Sequence, residues 1–338
     1  VKKIAIIGGG SWGTALAIAL TQSTRPHRIS LWAHSRDVVE ALGVRRVNEI
    51  YLPGFELVPS VEVTGELSIA LAGAEIVLGV MPAAHARAIY RSMRPHVEPR
   101  SIFVSATKGL EPASHARISD LISEEIAGGA ERVDNLPVAV LAGPSFAAEV
   151  AAGHPTVAVL ASRDASVASE VQEEFSGPRF RLYTNDDVIG TEIAGAVKNV
   201  IAIAAGASIG LGLGTNTMAA LVTRGLAEMT RLAVALGGRR ETLAGLAGVG
   251  DLILTATGAL SRNRSVGIEL GKGRELREIL GATRMVAEGV GSTAATLELA
   301  RRAGVEMPIA EQVHSVLAAG RASRDAIREL MERRLKQE

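Results

Sequence analysis

Along the first half of the chain, short runs of β-branched and other apolar residues recur at 3–8, 28–33, 61–63, 75–80, 101–105, 137–141, 156–161 and 180–184. Amphipathic or alanine-rich stretches separate them. Apolar runs of this length predict buried strands, and their alternation with helical stretches predicts a parallel sheet with crossover helices. Helices are expected near 12–22, 37–43, 83–93, 114–127 and 164–175, with Pro82 where a helix can begin and Asp164 as an N-cap. Beyond Thr184 the strand-like runs stop and apolar residues recur at helical spacing. The spacing predicts helices at about 188–205, 216–236, 240–246, 251–257, 262–270, 275–280, 292–303, 308–317 and 323–334. The change of period divides the chain into 1–185 and 186–338. The expected fold is α/β, with an N-terminal Rossmann-like, doubly wound, mostly parallel sheet followed by an all-α C-terminal domain. No internal repeat at a fixed period is visible.

Length agrees with two units, since 338 residues exceed what one core usually serves. Composition narrows the chemistry. Basic and acidic residues balance at 36 each, so no overall field draws the chain to nucleic acid or an anionic membrane. Aromatic residues make up only 3%, which argues against platforms for stacking bases. The absence of cysteine removes disulfides, thiolate catalysis and cysteine-bound zinc. The seven histidines are dispersed, so no histidine-built metal site is expected. The chain opens in a strand instead of a signal peptide. The apolar stretch 200–213, interrupted by Gly206, Gly210 and Gly212, reads as too short for a bilayer that needs ~20 helical residues. A soluble, cytoplasmic protein without an integral membrane segment is the expectation.

Gly8-Gly9-Gly10-Ser11-Trp12-Gly13 fits G-x-G-x-x-G between the first expected strand and helix. In that context Gly8 serves the tight turn, Gly10 lets the backbone approach a pyrophosphate, and Gly13 lets helix and strand pack closely. A dinucleotide site follows. An NAD-selective site places an acid about 20 residues on, at the end of the second strand. Here that end reads Ala33-His34-Ser35-Arg36, with Asp37 only behind it. His34, Ser35 and Arg36 either donate to a 2′-phosphate or are ordinary loop residues, so NADP(H) and NAD(H) both stay open.

Candidate substrate groups lie beyond other strand ends, where open doubly wound sheets bind ligands. Lys108 follows the run 101–105 as a partner for a phosphate or hydroxyl, and Gly143 and Ser145 follow 137–141. Lys198 is the least ordinary residue. Its neighbours at helical spacing are Thr191, Ala194, Gly195, Ile201, Ala202 and Ala205, a small and mostly apolar stripe. Desolvation there lowers the pKa of an ammonium and makes it usable as a proton carrier for carbonyl reduction or alcohol oxidation. Ser261 reads as an N-cap, leaving the N–H groups of Arg262 and Asn263, with the Arg262 guanidinium, as a site for a phosphate monoester. Asp251 either accepts from a substrate hydroxyl or orients Lys198.

Taken together, these segments resemble the bacterial glycerol-3-phosphate dehydrogenase [NAD(P)+] family over essentially the whole chain. The likeness rests on 8–13, on 48–54 ending Tyr51-Leu52-Pro53-Gly54, and on 106–109, 143–147, 195–199 and 223–229. Gly250-Asp251-Leu252, 261–264 and Glu288-Gly289 complete it. The resemblance implies that Ser11, Trp12, His34, Lys108, Ala147, Arg262, Val286 and Glu288 contact the dinucleotide. It implies that Lys108, Gly143, Ser145, Lys198, Asp251, Ser261, Arg262 and Asn263 hold the substrate, with Lys198 as proton acceptor. A homodimer and a role in supplying the glycerol phosphate backbone of phospholipids are also implied. Two other readings stand beside it. One is a related two-domain dehydrogenase of the 6-phosphogluconate or β-hydroxyacid type, whose resemblance is to a G-x-x-x-K helix, whereas Gly195 precedes Lys198 by three. The other is an NADPH-binding sensor without turnover.

Overall fold

The computed structural model describes residues 1–128, 136–282 and 286–334. The first part of the chain runs β1 (Lys2–Ile7), α1 (Ser11–Leu20), β2 (His27–Trp32), α2 (Arg36–Glu40), β3 (Val47–Asn48), β4 (Leu52–Glu56), β5 (Val61–Thr64), α3 (Leu67–Leu71) and β6 (Ile76–Gly79). It continues through α4 (Ala83–Met93), β7 (Ile102–Ser105), α5 (Ile118–Ala127), β8 (Val138–Ala142), α6 (Ala147–Ala151), β9 (Thr156–Ala161), α7 (Ala165–Phe175) and β10 (Phe180–Asn185). Helices follow: α8 (Val188–Gly210), α9 (Thr215–Ala235), α10 (Arg240–Leu243), α11 (Asp251–Thr257), α12 (Arg262–Gly271), α13 (Leu276–Gly281), α14 (Glu288–Arg302), α15 (Pro308–Ala319) and α16 (Ser323–Met331).

Eight strands form one sheet in the order β10-β9-β8-β7-β6-β1-β2-β5. All neighbours run parallel except β8 and β9. The inner strands β6, β7 and β8 are buried on both faces and read as near-continuous apolar runs, whereas the edge strands β5 and β10 mix buried with exposed residues. Alternation still divides them. Ile4 and Ile6 join Leu16, Leu31 and Phe175 in one core, while Ala5 and Ile7 join Tyr90, Met93 and Phe103 in another. From β1 the chain passes outward to β2 and β5, then returns to β6 and proceeds the other way. That reversal opens a crevice beyond the carboxyl ends of β1 and β6.

A third core surrounds α8, where Ile193, Val197, Val200 and Ile201 meet Leu232, Leu252 and Val266. Here the expectation of a glycine-broken stretch at 200–213 is corrected. The helix continues unbroken for 23 residues to Gly210, and among the described residues it is the one helix long and apolar enough to cross a membrane. Its apolarity serves the protein interior, since 78% of its most apolar window is buried there. Gly206 and Gly210 persist for packing. A Cβ at either would stand 2.0 Å from the Arg264 carbonyl oxygen or 2.1 Å from that of Ile268. Reciprocally, Cβ atoms at Gly267 and Gly271 of α12 would meet the Ile203 and Ala207 carbonyl oxygens at 2.0 and 2.4 Å. The two backbones touch, as glycine alone permits.

Other boundaries also differ from the sequence reading. The helix expected at 37–43 ends at Glu40 and passes into a wider turn, Ala41–Arg45. The one expected from 114 starts only at Ile118, after a turn in which His115 takes φ +64°. The β3–β4 hairpin, α3 and α6 were not expected at all, and α14 starts at Glu288 instead of Ser292.

Candidate active site

At the switch point the chain turns from β1 into α1 through the glycines. Gly8 has φ +135°, and a Cβ on it would lie 2.4 Å from the Val80 carbonyl oxygen; one on Gly13 would lie 1.8 Å from that of Gly8. Around Gly10 nothing stands within 4 Å of such an atom. No side chain caps α1, so its first N–H groups face a cleft of about 840 Å³. Asn48, fully buried, holds the turn by donating from Nδ2 to the Gly9 carbonyl at 2.9 Å and to Thr14 Oγ1 at 2.8 Å. The buried Trp12 Nε1 has no acceptor among the described residues. Open backbone, free helical donors and an orphaned indole N–H fit a dinucleotide.

Towards the mouth, the cleft is lined by His34, Ser35, Val38, Tyr51, His85 and Ile89. Arg36 does not line it: its side chain is exposed on the first residue of α2.

The inner end belongs to the helical half. Lys198, 3% exposed, donates from Nζ to Asp251 Oδ1 at 2.7 Å and to Thr255 Oγ1 at 2.9 Å. Asp251 Oδ2 has no hydrogen-bond partner among the described residues, and Lys108 Nζ stands 3.6 Å from it, 6.0 Å from the Trp12 ring centre. Burial pushes Lys198 from 10.5 down to about 7; Asp251 opposes the fall and Lys108 adds to it. Amine and ammonium are therefore both accessible near neutral pH.

Across the cleft, Ser261 caps α12 by accepting from the Arg264 N–H at 3.3 Å. The Arg262 guanidinium reaches the opposite wall, donating to Ser11 Oγ and, at 3.3 Å, to the Val286 carbonyl. Glu288 is pushed up to about 7 by burial, against the Ala83 N–H and Arg262. Ser145 and Ala147 line the cleft beside Phe146. Gly143 does not; at φ +120° it makes the turn after β8, and its carbonyl accepts from Ser145 Oγ at 3.0 Å.

Sequence reasoning missed Thr255 and Asn199. Thr255 lies four residues after Asp251, on the same helical face, which was the available signal. Asn199 adjoins Lys198, lines the cleft, and joins its amide to that of Asn263 at 2.9 Å.

A glycine turn at the switch point of a doubly wound sheet, facing a desolvated lysine from a helical unit, defines a two-domain nucleotide-dependent dehydrogenase. Family models described as the NAD-dependent glycerol-3-phosphate dehydrogenase N-terminus and C-terminus match residues 3–168 and 187–328. The chain belongs to the NAD-dependent glycerol-3-phosphate dehydrogenase family. It is 54% identical over 334 residues to the glycerol-3-phosphate dehydrogenase [NAD(P)+] of Koribacter versatilis, covering 98% of both chains. Against the protein of the same name from Acidobacterium capsulatum it is 53% identical, again covering 98% of each. The crystal structure of glycerol-3-phosphate dehydrogenase from Coxiella burnetii superposes with a TM-score of 0.92 at 39% identity, covering 98% of this chain and 99% of that one.

Proposed function

We propose that this chain interconverts dihydroxyacetone phosphate and sn-glycerol 3-phosphate, with Lys198 carrying the proton. The observation that carries the reading is the buried Lys198 amine, held by Asp251 and Thr255 in the same cleft as the glycine turn. When bound, the nicotinamide supplies or accepts the hydride. As the carbonyl carbon gains hydride, its oxygen takes the proton from the Lys198 ammonium; in reverse, the neutral amine removes the hydroxyl proton. Asp251 and Thr255 orient Nζ. The Arg262 guanidinium and the first N–H groups of α12 suit the phosphate, with Lys108 as a second cation. Ser11, Trp12 and Ala147 suit the dinucleotide, and His34 with Ser35 offers donors where NAD-selective sites carry an acid. This supports use of NADP(H) as well as NAD(H).

In this reading residues 1–185 hold the cofactor and 186–338 hold the substrate. The resemblance supports a cytoplasmic homodimer that supplies glycerol 3-phosphate for phospholipid synthesis. The test is oxidation of NADPH and NADH with dihydroxyacetone phosphate and with unphosphorylated dihydroxyacetone. The phosphate ester should be strongly preferred, and Arg262→Ala should raise its KM by the ~1.5–3 kcal/mol of a charge-assisted hydrogen bond, roughly 10- to 150-fold. Equal efficiency with both ketones in the wild type would remove the phosphate site.

A further inference from the structure

Asn263 stands at the second position of α12, facing the cleft, where its side chain would be taken for a phosphate ligand. Both ends of its amide are already engaged. Oδ1 accepts from the Gly289 N–H at 2.9 Å, and Nδ2 donates to Asn199 Oδ1 at 2.9 Å. Asn199 in turn donates from Nδ2 to the Gly195 carbonyl at 3.2 Å. The two side chains are 8% and 3% exposed.

The chain of amides has a sense that its backbone ends impose. The Gly289 N–H requires an acceptor, which fixes Asn263 Oδ1 upon it; Nδ2 then faces Asn199 and demands an oxygen there. Asn199 must aim its nitrogen at the Gly195 carbonyl, and no flipped arrangement satisfies every group. Gly289 lies in the first turn of α14, whose N-cap position, Ala287, has no side-chain oxygen. Asn263 is thus a cap supplied from another helix. The approach is close, since a Cβ on Gly289 would stand 2.7 Å from the Asn199 carbonyl oxygen. Val286, just before α14, anchors the Arg262 guanidinium.

We infer that the Asn263 side chain is a positioning group: it locks α14 to α12 and sets the orientation of the Asn199 amide beside Lys198, leaving only its backbone N–H for the phosphate. The inference rests on the reductase reading of the cleft. A direct phosphate ligand would be felt chiefly in the KM for dihydroxyacetone phosphate and would not depend on Asn199. A positioning group acting through Asn199 lowers kcat and couples to it.

The experiment is a double-mutant cycle of Asn199→Ala and Asn263→Ala in the full chain, reading kcat and KM separately with saturating NADPH. Asn263→Ala should lower kcat about tenfold, and the double variant should fall within about threefold of Asn199→Ala, because side chains acting as a unit are not additive. Hydrogen exchange of the Gly289 amide should accelerate in Asn263→Ala. Multiplicative losses, or a loss confined to KM with unchanged Gly289 exchange, would overturn the inference. Should Asn263→Ala not accumulate folded, Asn263→Asp carries the same cycle, keeping the acceptor for Gly289 and removing the donor to Asn199. If wild type oxidises no NADPH with the phosphorylated ketone, the reductase reading falls. Gly289 exchange then still decides whether the cap exists.

Discussion

Lys198 sits between two charges of opposite sign, so its ionisation can be moved in either direction by choosing which neighbour to neutralise. Asp251 raises its pKa and Lys108 lowers it, with burial as the larger cause and a resting value of about 7. In oxidation of glycerol 3-phosphate the neutral amine is the active form, so kcat/KM should rise with pH through about 7. In reduction of the ketone the ammonium is active, and the limb at the same pH should fall. Asp251→Asn keeps an oxygen for the hydrogen bond and removes the charge. Unit charges ~4 Å apart at an effective dielectric of ~20 interact by ~4 kcal/mol, an upper bound of ~3 pH units at 1.36 kcal/mol each. With relaxation and water entering beside Thr255, a downward shift of about one unit or more is expected. Lys108→Met should move the limb upward. Lys198→Met should abolish it and lower kcat by ~10²–10⁴ while cofactor affinity is kept. Arginine at 198 should not rescue, since guanidinium gives up no proton in this range. The assay is kcat and kcat/KM for oxidation between about pH 5 and about pH 10, the limb being read from kcat/KM, with cofactor affinity measured separately by fluorescence titration. Limbs that move the same way in Asp251→Asn and Lys108→Met, or a limb that survives in Lys198→Met, would refute the assignment.

At the cleft mouth, His34→Ala and Arg36→Ala should each weaken NADPH more than NADH, by about tenfold for a lost hydrogen bond to a charged group; titrating both cofactors checks this, and equal losses for both would mean that neither side chain reads the 2′-phosphate. Glu228, buried on α9, accepts from the Ile309 and Ala310 N–H groups at 2.8 and 3.3 Å and is pushed up to about 7 by burial. A carboxyl raised in the folded state contributes stability that is complete below its unfolded value near 4.5 and lost as pH climbs through about 7. Wild type should therefore lose up to about 3 kcal/mol relative to Glu228→Gln across that window, and parallel melting curves against pH would contradict it.

Much of this fold was legible because its signals are local. The strands β1, β6 and β7 carry the apolar runs Ile4–Ile7, Ile76–Gly79 and Ile102–Val104, and the glycine turn falls between a strand and a helix whatever the rest of the chain does. The β3–β4 hairpin escaped notice because β3 is only two residues long and β4 contains Pro53 and Gly54. The start of α14 was masked by Gly289 and Gly291, which count against a helix by propensity. Its cap also comes from Asn263, which is distant in sequence. For Arg36, the sequence places a cation just beyond the end of β2 without saying which way its side chain turns.

The site itself depends on a contact no local pattern announces. Lys198 and Asn199 lie on α8, Ser261 to Asn263 open α12, and Asp251 and Thr255 belong to α11. These segments converge because α8 and α12 cross with their backbones touching at four glycines. Taken one at a time, Gly206, Gly210 and Gly271 read as interruptions of helices, and Gly267 carries no signal of its own. As two pairs spaced by four, each pair is one small face, and such faces let the backbones approach where larger side chains would hold the helices ~8–10 Å apart. The α8–α12 spacing fixes how far the first N–H groups of α12 stand from the Lys198 amine. On the proposed assignment, the separation of the anion site from the proton carrier is thus set by four glycines that lie outside the cleft lining.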